Sequence, residues 1–219
     1  MKNRNKKDFY IALSSLISFA LWTISLCFID KRAIGPKGSI VGFSTINGIF
    51  HNFIGVNIAL YNLTDWLGLV PIAFALGFAF LGLVQWIKRK HILKVDYSIL
   101  ILGVFYIITV AAFVIFEIFP VNYRPVLING CLEASYPSST TLIVTCVMPA
   151  SLMQFNARIK NRILKLAINF FIDFFICFMV MARLISGVHW ITDIIGGLLL
   201  SLGLVAAYSF FVKTEPRLD

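Results

Sequence analysis

The sequence predicts an all-α integral membrane protein with six transmembrane helices. Of its 219 residues, 59% are hydrophobic and only 13% are charged, and the mean hydropathy is +0.89. Soluble domains carry roughly 25% charged residues. Six apolar stretches approach the ~20 residues that a bilayer-spanning helix needs. They lie at about residues 9–29, 66–86, 98–119, 139–155, 164–181 and 191–212.

The first stretch follows a basic segment, MKNRNKK, as the apolar part of a signal peptide would. It is longer than such a part usually is, and no small-residue cleavage site follows it. We therefore predict a retained membrane anchor.

The positions of the basic residues predict the orientation of the chain. The net charge is +9, and Lys and Arg cluster at residues 2–7, 88–94, 158–165 and 213–217, all on one side of a six-span chain. Because basic loops stay inside, we predict that both termini are cytoplasmic and that the loops at 30–65, 120–138 and 182–190 are outside. This pattern follows topology, so we predict no nucleic-acid partner. Attraction to acidic lipids is compatible with the same clusters.

The first predicted outer loop is long, and residues 44–57 mix aromatic side chains with Asn and His51. This composition fits either an interfacial helix that controls lipid access or a simple connecting loop. Thr64 is predicted to cap the start of the second span. No repeat or low-complexity segment divides the chain, so we predict one membrane domain over residues 1–219.

Three ionisable residues lie between the last two apolar stretches: Arg183, His189 and Asp193. Ionisable groups are costly in membranes, so they indicate a functional site. On a helix, His189 and Asp193 would share one face. A carboxylate beside an imidazole fixes its tautomer and makes the other ring nitrogen a better nucleophile, and a guanidinium suits phosphate. An interfacial Arg and His, with Asp193 capping the last helix, would fit the same residues.

Two further features precede the fourth span on the same predicted face. Arg124-Pro125 contains a second outer arginine, and the run Pro137 to Thr141 (PSSTT) is typical of a helix start. A helix N-terminus capped by Ser138 or Ser139 offers free N–H groups and a dipole that attract phosphate. Together the three pieces predict a phosphate site with a built-in nucleophile.

These motifs resemble the three-part signature of the type 2 phosphatidic acid phosphatase family of membrane lipid phosphatases. The family pattern is Lys-(six residues)-Arg-Pro, then Pro-Ser-Gly-His, then Ser-Arg-(five residues)-His-(three residues)-Asp. The matching positions here are Arg124-Pro125, Pro137-Ser138, and Arg183 with His189 and Asp193. The resemblance implies a catalytic core over about residues 98–212.

The resemblance implies that His189 attacks phosphorus and forms a phosphohistidine, while Asp193 orients the imidazole. Arg124 and Arg183 would hold the phosphate oxygens, and Ser138, with backbone N–H groups near Ser139, would complete the cradle. It also implies a phospholipid or polyprenyl phosphate substrate, no metal and no other cofactor. We expect an integral protein of a bacterial plasma membrane, with its site facing outside.

The chain departs from the family pattern at Glu117 (for Lys), Ser139 (for Gly), Thr140 (for His) and Ala182 (for Ser). A threonine hydroxyl is no general acid near neutral pH, and losing such an acid typically costs ~10²–10⁴-fold in rate. A diphosphate needs that proton less than an ester does, so the chemistry is biased toward lipid diphosphates. Alternatively, Glu117 or Glu133 supplies the proton. The same departures fit a non-hydrolytic relative, either a lipid-phosphate binding protein or a transferase.

Overall fold

The computed structural model describes residues 2–214, so Arg217 of the last basic cluster and both ends of the predicted 1–219 domain lie outside the described residues. Within that range the chain forms eight α-helices and no β-strand, as predicted for an all-α protein. The helices are α1 (Lys2–Phe28), α2 (Ser44–Ile54), α3 (Ile58–Leu67), α4 (Leu69–Arg89), α5 (Tyr97–Ile118), α6 (Ser139–Arg158), α7 (Arg162–Ile185) and α8 (Ile191–Lys213).

Six segments are long and apolar enough to cross a membrane, which confirms the predicted number of spans. Five lie in α1, α5, α6, α7 and α8, and the sixth, Ile58–Arg89, combines α3 with α4. Large apolar side chains cover the outer surfaces; for example, Phe80 is 67% exposed, Ile107 70% and Phe170 75%. Such a surface would aggregate in water, whereas in a bilayer it contacts lipid tails.

The second span begins earlier than predicted and is interrupted at Gly68, between α3 and α4. Pro71 lacks an N–H group and cannot continue the hydrogen bonding of α3. Asn57 caps α3, because its side-chain oxygen accepts the Leu60 N–H at 2.9 Å. The prediction that Thr64 caps this span is therefore wrong. Thr64 lies inside α3 and is fully buried. Its hydroxyl oxygen is therefore available to accept a hydrogen bond from a residue of another helix.

The two central helices are α6 and α8. In their most apolar parts 61% of the residues of α6 and 50% of those of α8 are buried. α1 packs antiparallel against α8. At one end Trp22 Nε1 donates to Thr192 O at 3.2 Å, and at the other Ser209 Oγ donates to Asp8 Oδ2 at 2.9 Å. Between them, Gly203 allows close approach, since a Cβ there would lie 2.8 Å from an α1 side chain.

The connection between α5 and α6 folds back on itself as a short hairpin-like loop. Asn129 and Gly130 have φ of +50° and +78°, the conformation of a type I′ turn. Beyond the turn, the Arg124 N–H donates to Glu133 O at 3.0 Å. The turn thus holds Arg124 and Glu133 side by side at the end of the bundle where α6 begins.

The first predicted outer loop contains a helix, α2, as the interfacial-helix interpretation requires. One face of α2 is apolar and exposed: Ile46 is 57%, Ile49 67% and Phe53 87% exposed. The opposite face is fully buried at Asn47, whose Nδ2 donates to Thr192 Oγ1 at 3.0 Å. α2 is therefore anchored to the first turn of α8, and its role in lipid access stays a prediction.

Candidate active site

His189 lies in a tight turn between α7 and α8. Gly187 has a φ of +67°, and a Cβ there would lie 1.9 Å from Gly55 O, so the turn requires glycine. The Asn57 N–H donates to Ser186 O at 2.9 Å and joins this turn to the segment before α3. The turn directs His189 inward, where it is buried.

The imidazole of His189 is held at one nitrogen and free at the other. Nδ1 lies 3.1 Å from Ser135 O, which can only accept, so we assign the ring hydrogen to Nδ1. Nε2 is buried and has no hydrogen-bond partner within residues 2–214. An unpartnered buried nitrogen with a free lone pair can attack an electrophile brought next to it.

Asp193 supports this imidazole from the first turn of α8. Because α8 begins at Ile191, His189 and Asp193 do not share a helix face, yet Asp193 Oδ2 lies 3.8 Å from His189 Nδ1. The same Oδ2 accepts the Trp190 N–H at 2.9 Å, and Oδ1 accepts from Asn122 Nδ2 at 3.5 Å. Asp193 thus stabilises the helix start and also places a carboxylate beside the imidazole.

The two arginines predicted to bind phosphate converge on one aromatic ring. The guanidinium carbon of Arg183 lies 4.6 Å from the centroid of the Tyr61 ring, and that of Arg124 lies 5.7 Å from it. Cation–π attraction of this kind holds both charges in place. Like charges so close together are unfavourable without an anion between them.

Each guanidinium has partners on one side only. Arg183 Nη1 donates to Thr64 Oγ1 at 3.0 Å, and Nη2 lies 3.8 Å from Asp65 Oδ1. Arg124 Nε lies 3.1 Å from Glu133 Oε2. Arg183 Nε and Arg124 Nη1 are buried donors with no acceptor in the described part of the chain. Buried donors are nearly always satisfied, so this pair is suited to an anion.

The start of α6 completes the concave face of the site. Ser138 Oγ accepts the Thr141 N–H at 3.5 Å, which makes Ser138 the cap of α6, and the Ser138 N–H donates to Asp193 O at 3.1 Å. The N–H groups of Ser139 and Thr140 in the first turn have no intrahelical acceptor. Such N–H groups and the helix dipole favour a phosphate group here.

Two adjoining spaces meet at Ser139. A narrow crevice is lined by His189, Glu117 and Ser139. A wider cleft of about 190 Å³ is lined by Asp65, Ser139 and Thr140 at its polar end. Apolar side chains of α4, α5 and α6, including Ile72 and Phe113, line the rest of the cleft.

The surroundings of His189 favour its neutral form. Burial lowers the pKa of His189 below its usual value of 6.5, and the positive charges of Arg124 and Arg183 lower it further. A lowered pKa means that the ring binds no second proton at neutral pH and keeps the Nε2 lone pair available. Only below that lowered pKa would protonation remove the nucleophile.

Replacing Arg124 with glutamine should raise the pKa of His189, because it removes one positive charge near the ring. NMR of ring-labelled histidine in detergent can measure this, with His189→Gln identifying the signal. The wild-type His189 signal should keep its neutral position at pH 6.5, and that of Arg124→Gln should begin to shift at a higher pH than the wild type. An unchanged midpoint would show that Arg124 exerts no electrostatic effect on the ring.

Comparison with known proteins gives a family match for part of the chain and a similar fold for nearly all of it. A sequence profile of the PAP2 superfamily matches residues 112–217, a range that contains Arg124, Ser138, Arg183, His189 and Asp193. The C-terminal part of the chain, over the matched residues, is therefore similar to the PAP2 superfamily. No curated protein sequence matches it. The fold is similar to the crystal structure of a transmembrane PAP2-type phosphatidylglycerolphosphate phosphatase from Bacillus subtilis, with a TM-score of 0.63, 16% identity, and coverage of 96% of this chain and 100% of that one.

The candidate site also uses five residues that the sequence interpretation did not assign to it, three of them upstream of the profile match. Tyr61, Thr64 and Asp65 of α3 contact the two guanidinium groups. Asn122 and Ser135 of the hairpin-like loop hold Asp193 and His189. No periodic or motif signal marks these five residues, because each acts through a contact that the tertiary fold creates.

Proposed function

We propose that this protein hydrolyses the phosphate or diphosphate group of a membrane lipid through a phosphohistidine on His189. The observation that carries the proposal is the buried, unpartnered Nε2 of His189, in a crevice that opens beside the capped start of α6. Two guanidinium groups with unpartnered donors supply the positive charge that a phosphate needs.

In the first step, Nε2 attacks phosphorus and the bond from phosphorus to the lipid oxygen breaks. The imidazole becomes cationic as its lone pair is shared. The Ser135 carbonyl and the Asp193 carboxylate at Nδ1 stabilise that charge. Arg124, Arg183 and the N–H groups at the start of α6 stabilise the charge on the equatorial oxygens. Water then breaks the phosphorus–nitrogen bond and restores His189.

The leaving group decides which lipid is favoured. Thr140 lines the cleft where an acid would protonate the departing oxygen, and its hydroxyl cannot do so at neutral pH. A phosphate leaving from a diphosphate needs this proton less than an alkoxide does, which favours a lipid diphosphate such as a polyprenyl diphosphate. The Bacillus subtilis protein is described as acting on phosphatidylglycerolphosphate, so that monoester is the natural comparison.

The basic clusters support an orientation with the site outside. Lys and Arg concentrate at residues 2–7, 88–94 and 158–165, and the site lies at the opposite end of the helices. The positive-inside rule then directs the catalytic turn to the extracytoplasmic face. A cysteine introduced at exposed Asn52 of α2, tested with a membrane-impermeant thiol reagent in intact cells, checks this orientation.

A comparison of three lipids tests the proposed activity. Purified protein in detergent is given a polyprenyl diphosphate, phosphatidic acid or phosphatidylglycerophosphate, and released phosphate is measured. We expect release from at least one of them, with the diphosphate fastest. A faster rate on both monoesters would overturn the leaving-group argument. No release from any of the three, with binding retained, would instead support a lipid-phosphate binding protein, and lipid products of head-group exchange would identify a transferase.

A further inference from the structure

The second step of the proposed reaction needs a group that accepts a proton from water. The nearby carboxylates differ in their availability for this task. Asp193 is fully buried, and its Oδ2 already accepts the Trp190 N–H. Glu133 lies 3.1 Å from Arg124 Nε, and it does not line the crevice or the cleft. Neither can easily reach a water molecule that attacks phosphorus. Glu117 lines the crevice, on the same side as the nucleophile.

Asp65 is placed differently, because it lies in the cleft itself. Its side chain is 62% exposed, and Oδ1 lies 3.8 Å from Arg183 Nη2, too far for a hydrogen bond. A carboxylate in this position stays accessible to water and next to any phosphate that Arg183 binds. Asp65 shares the polar end of the cleft with Ser139 and Thr140.

Ser139 lines both the crevice and the cleft, so it lies between His189 and the Asp65 carboxylate. His189 borders the crevice on one side of Ser139, and Asp65 borders the cleft on the other. A phosphate at the start of α6 would therefore have His189 and Asp65 on different sides. An in-line displacement requires the incoming water to approach phosphorus opposite to the bond that breaks, which is the Asp65 side.

We propose that Asp65 is a catalytic residue, the general base that activates the water attacking the phosphohistidine. This inference rests on the proposed function. As the water oxygen bonds to phosphorus, its proton passes to Asp65, the phosphorus–Nε2 bond breaks, and that electron pair returns to His189. The proton leaves Asp65 for solvent when inorganic phosphate departs.

Replacing Asp65 with asparagine should separate the two steps. Full-length protein in detergent is mixed with whichever of the three lipids the wild type hydrolyses fastest, labelled with ³²P in the transferred phosphoryl group. We expect steady-state turnover to fall about 10²-fold. The lipid product should appear in a burst of about one equivalent per protein molecule. An acid-labile, alkali-stable phosphoprotein should accumulate.

The matched control is Glu133→Gln, which removes the carboxylate paired with the other arginine. It should raise KM without producing a burst. Thr140→His provides a second check, because an imidazole at that position would lie in the same cleft. Added to Asp65→Asn, it should restore turnover and abolish the phosphoprotein.

The outcomes distinguish this inference from the proposed function. If Asp65→Asn only raises KM, with no burst and no phosphoprotein, then Asp65 merely positions Arg183 and the inference is overturned. It is equally overturned if Glu117→Gln accumulates the phosphoprotein and Asp65→Asn does not. A wild-type protein that releases no phosphate and forms no phosphoprotein contradicts both proposals.

Discussion

Replacing His189 with glutamine should abolish phosphate release, with a loss of at least ~10⁴-fold in kcat. Glutamine can still donate to the Ser135 carbonyl that now accepts from Nδ1, but an amide nitrogen has no lone pair available for attack on phosphorus. No other unpartnered ring nitrogen faces the crevice in the described part of the chain. The variant should therefore make no phosphoprotein, in contrast to Asp65→Asn.

His51 provides a control of the same residue type at the same end of the protein. It lies on α2, with its ring centroid 5.4 Å from that of Trp190, the residue that follows His189. His51→Gln disturbs the packing around the turn but removes no group that lines the crevice or the cleft. It should keep most of the wild-type activity. Equal losses in the two variants would show that packing of the turn, rather than the nucleophile, explains the His189 result.

Both variants also need a check of folding, because His189 is buried. Loss of a buried side chain commonly costs about 0.5–3 kcal/mol of stability. Thermal unfolding in the same detergent shows whether each variant is folded at the temperature of the assay. This separates a loss of stability from a loss of catalysis. A His189→Gln protein that is folded and still releases phosphate above about a hundredth of the wild-type rate would exclude His189 as the nucleophile.

The membrane architecture was predictable because a bilayer imposes a minimum length on each span. The six apolar stretches therefore gave the right number of spans, with boundaries that differ most at α3. The spacing of Arg183, His189 and Asp193 was equally informative. An Arg, a His and an Asp within eleven residues between two apolar stretches have few explanations other than a site.

The contribution of α3 could not be predicted, because it depends on where the second span bends. Gly68 and Pro71 interrupt the helix, and the segment before them carries Tyr61, Thr64 and Asp65 to Arg183. Thr64 has the sequence context of a cap, and only the observed start of α3 at Ile58 rules that out. The contact between Arg183 and Thr64 joins residues that are far apart in the chain, and local patterns do not encode such contacts.

One missed feature did leave a local signal. Asn129-Gly130 is a typical pair for a tight turn with positive φ at both positions. Reading it as a turn would have predicted that the chain folds back between α5 and α6. That fold brings Glu133 to Arg124. It explains why the Glu133 carboxylate is paired with an arginine and is not available as the general acid that the sequence analysis considered.

Replacing Asp193 with asparagine should reduce kcat about 10²–10³-fold, less than the loss of His189. Where a carboxylate alone fixes the tautomer of a catalytic histidine, its conversion to an amide costs about 10⁴-fold. Here the Ser135 carbonyl lies closer to Nδ1, at 3.1 Å, than Asp193 Oδ2 does, at 3.8 Å. The tautomer should therefore survive the substitution, and what is lost should be the negative charge that would stabilise the proposed cationic phosphohistidine.

The substitution should also destabilise the fold by about 1–3 kcal/mol, since an amide NH₂ would face either the Trp190 N–H or the Asn122 NH₂ group. Asn122→Ala is the matched control: it removes the hydrogen bond to Asp193 and the one from the Gly42 N–H, but it keeps the carboxylate charge. Its kcat should therefore fall less than about tenfold. Rapid-quench measurement of phosphoprotein formation isolates the first step, and that step should slow in Asp193→Asn. A loss as large as that of His189→Gln would mean that the Ser135 carbonyl cannot hold the reactive tautomer without Asp193.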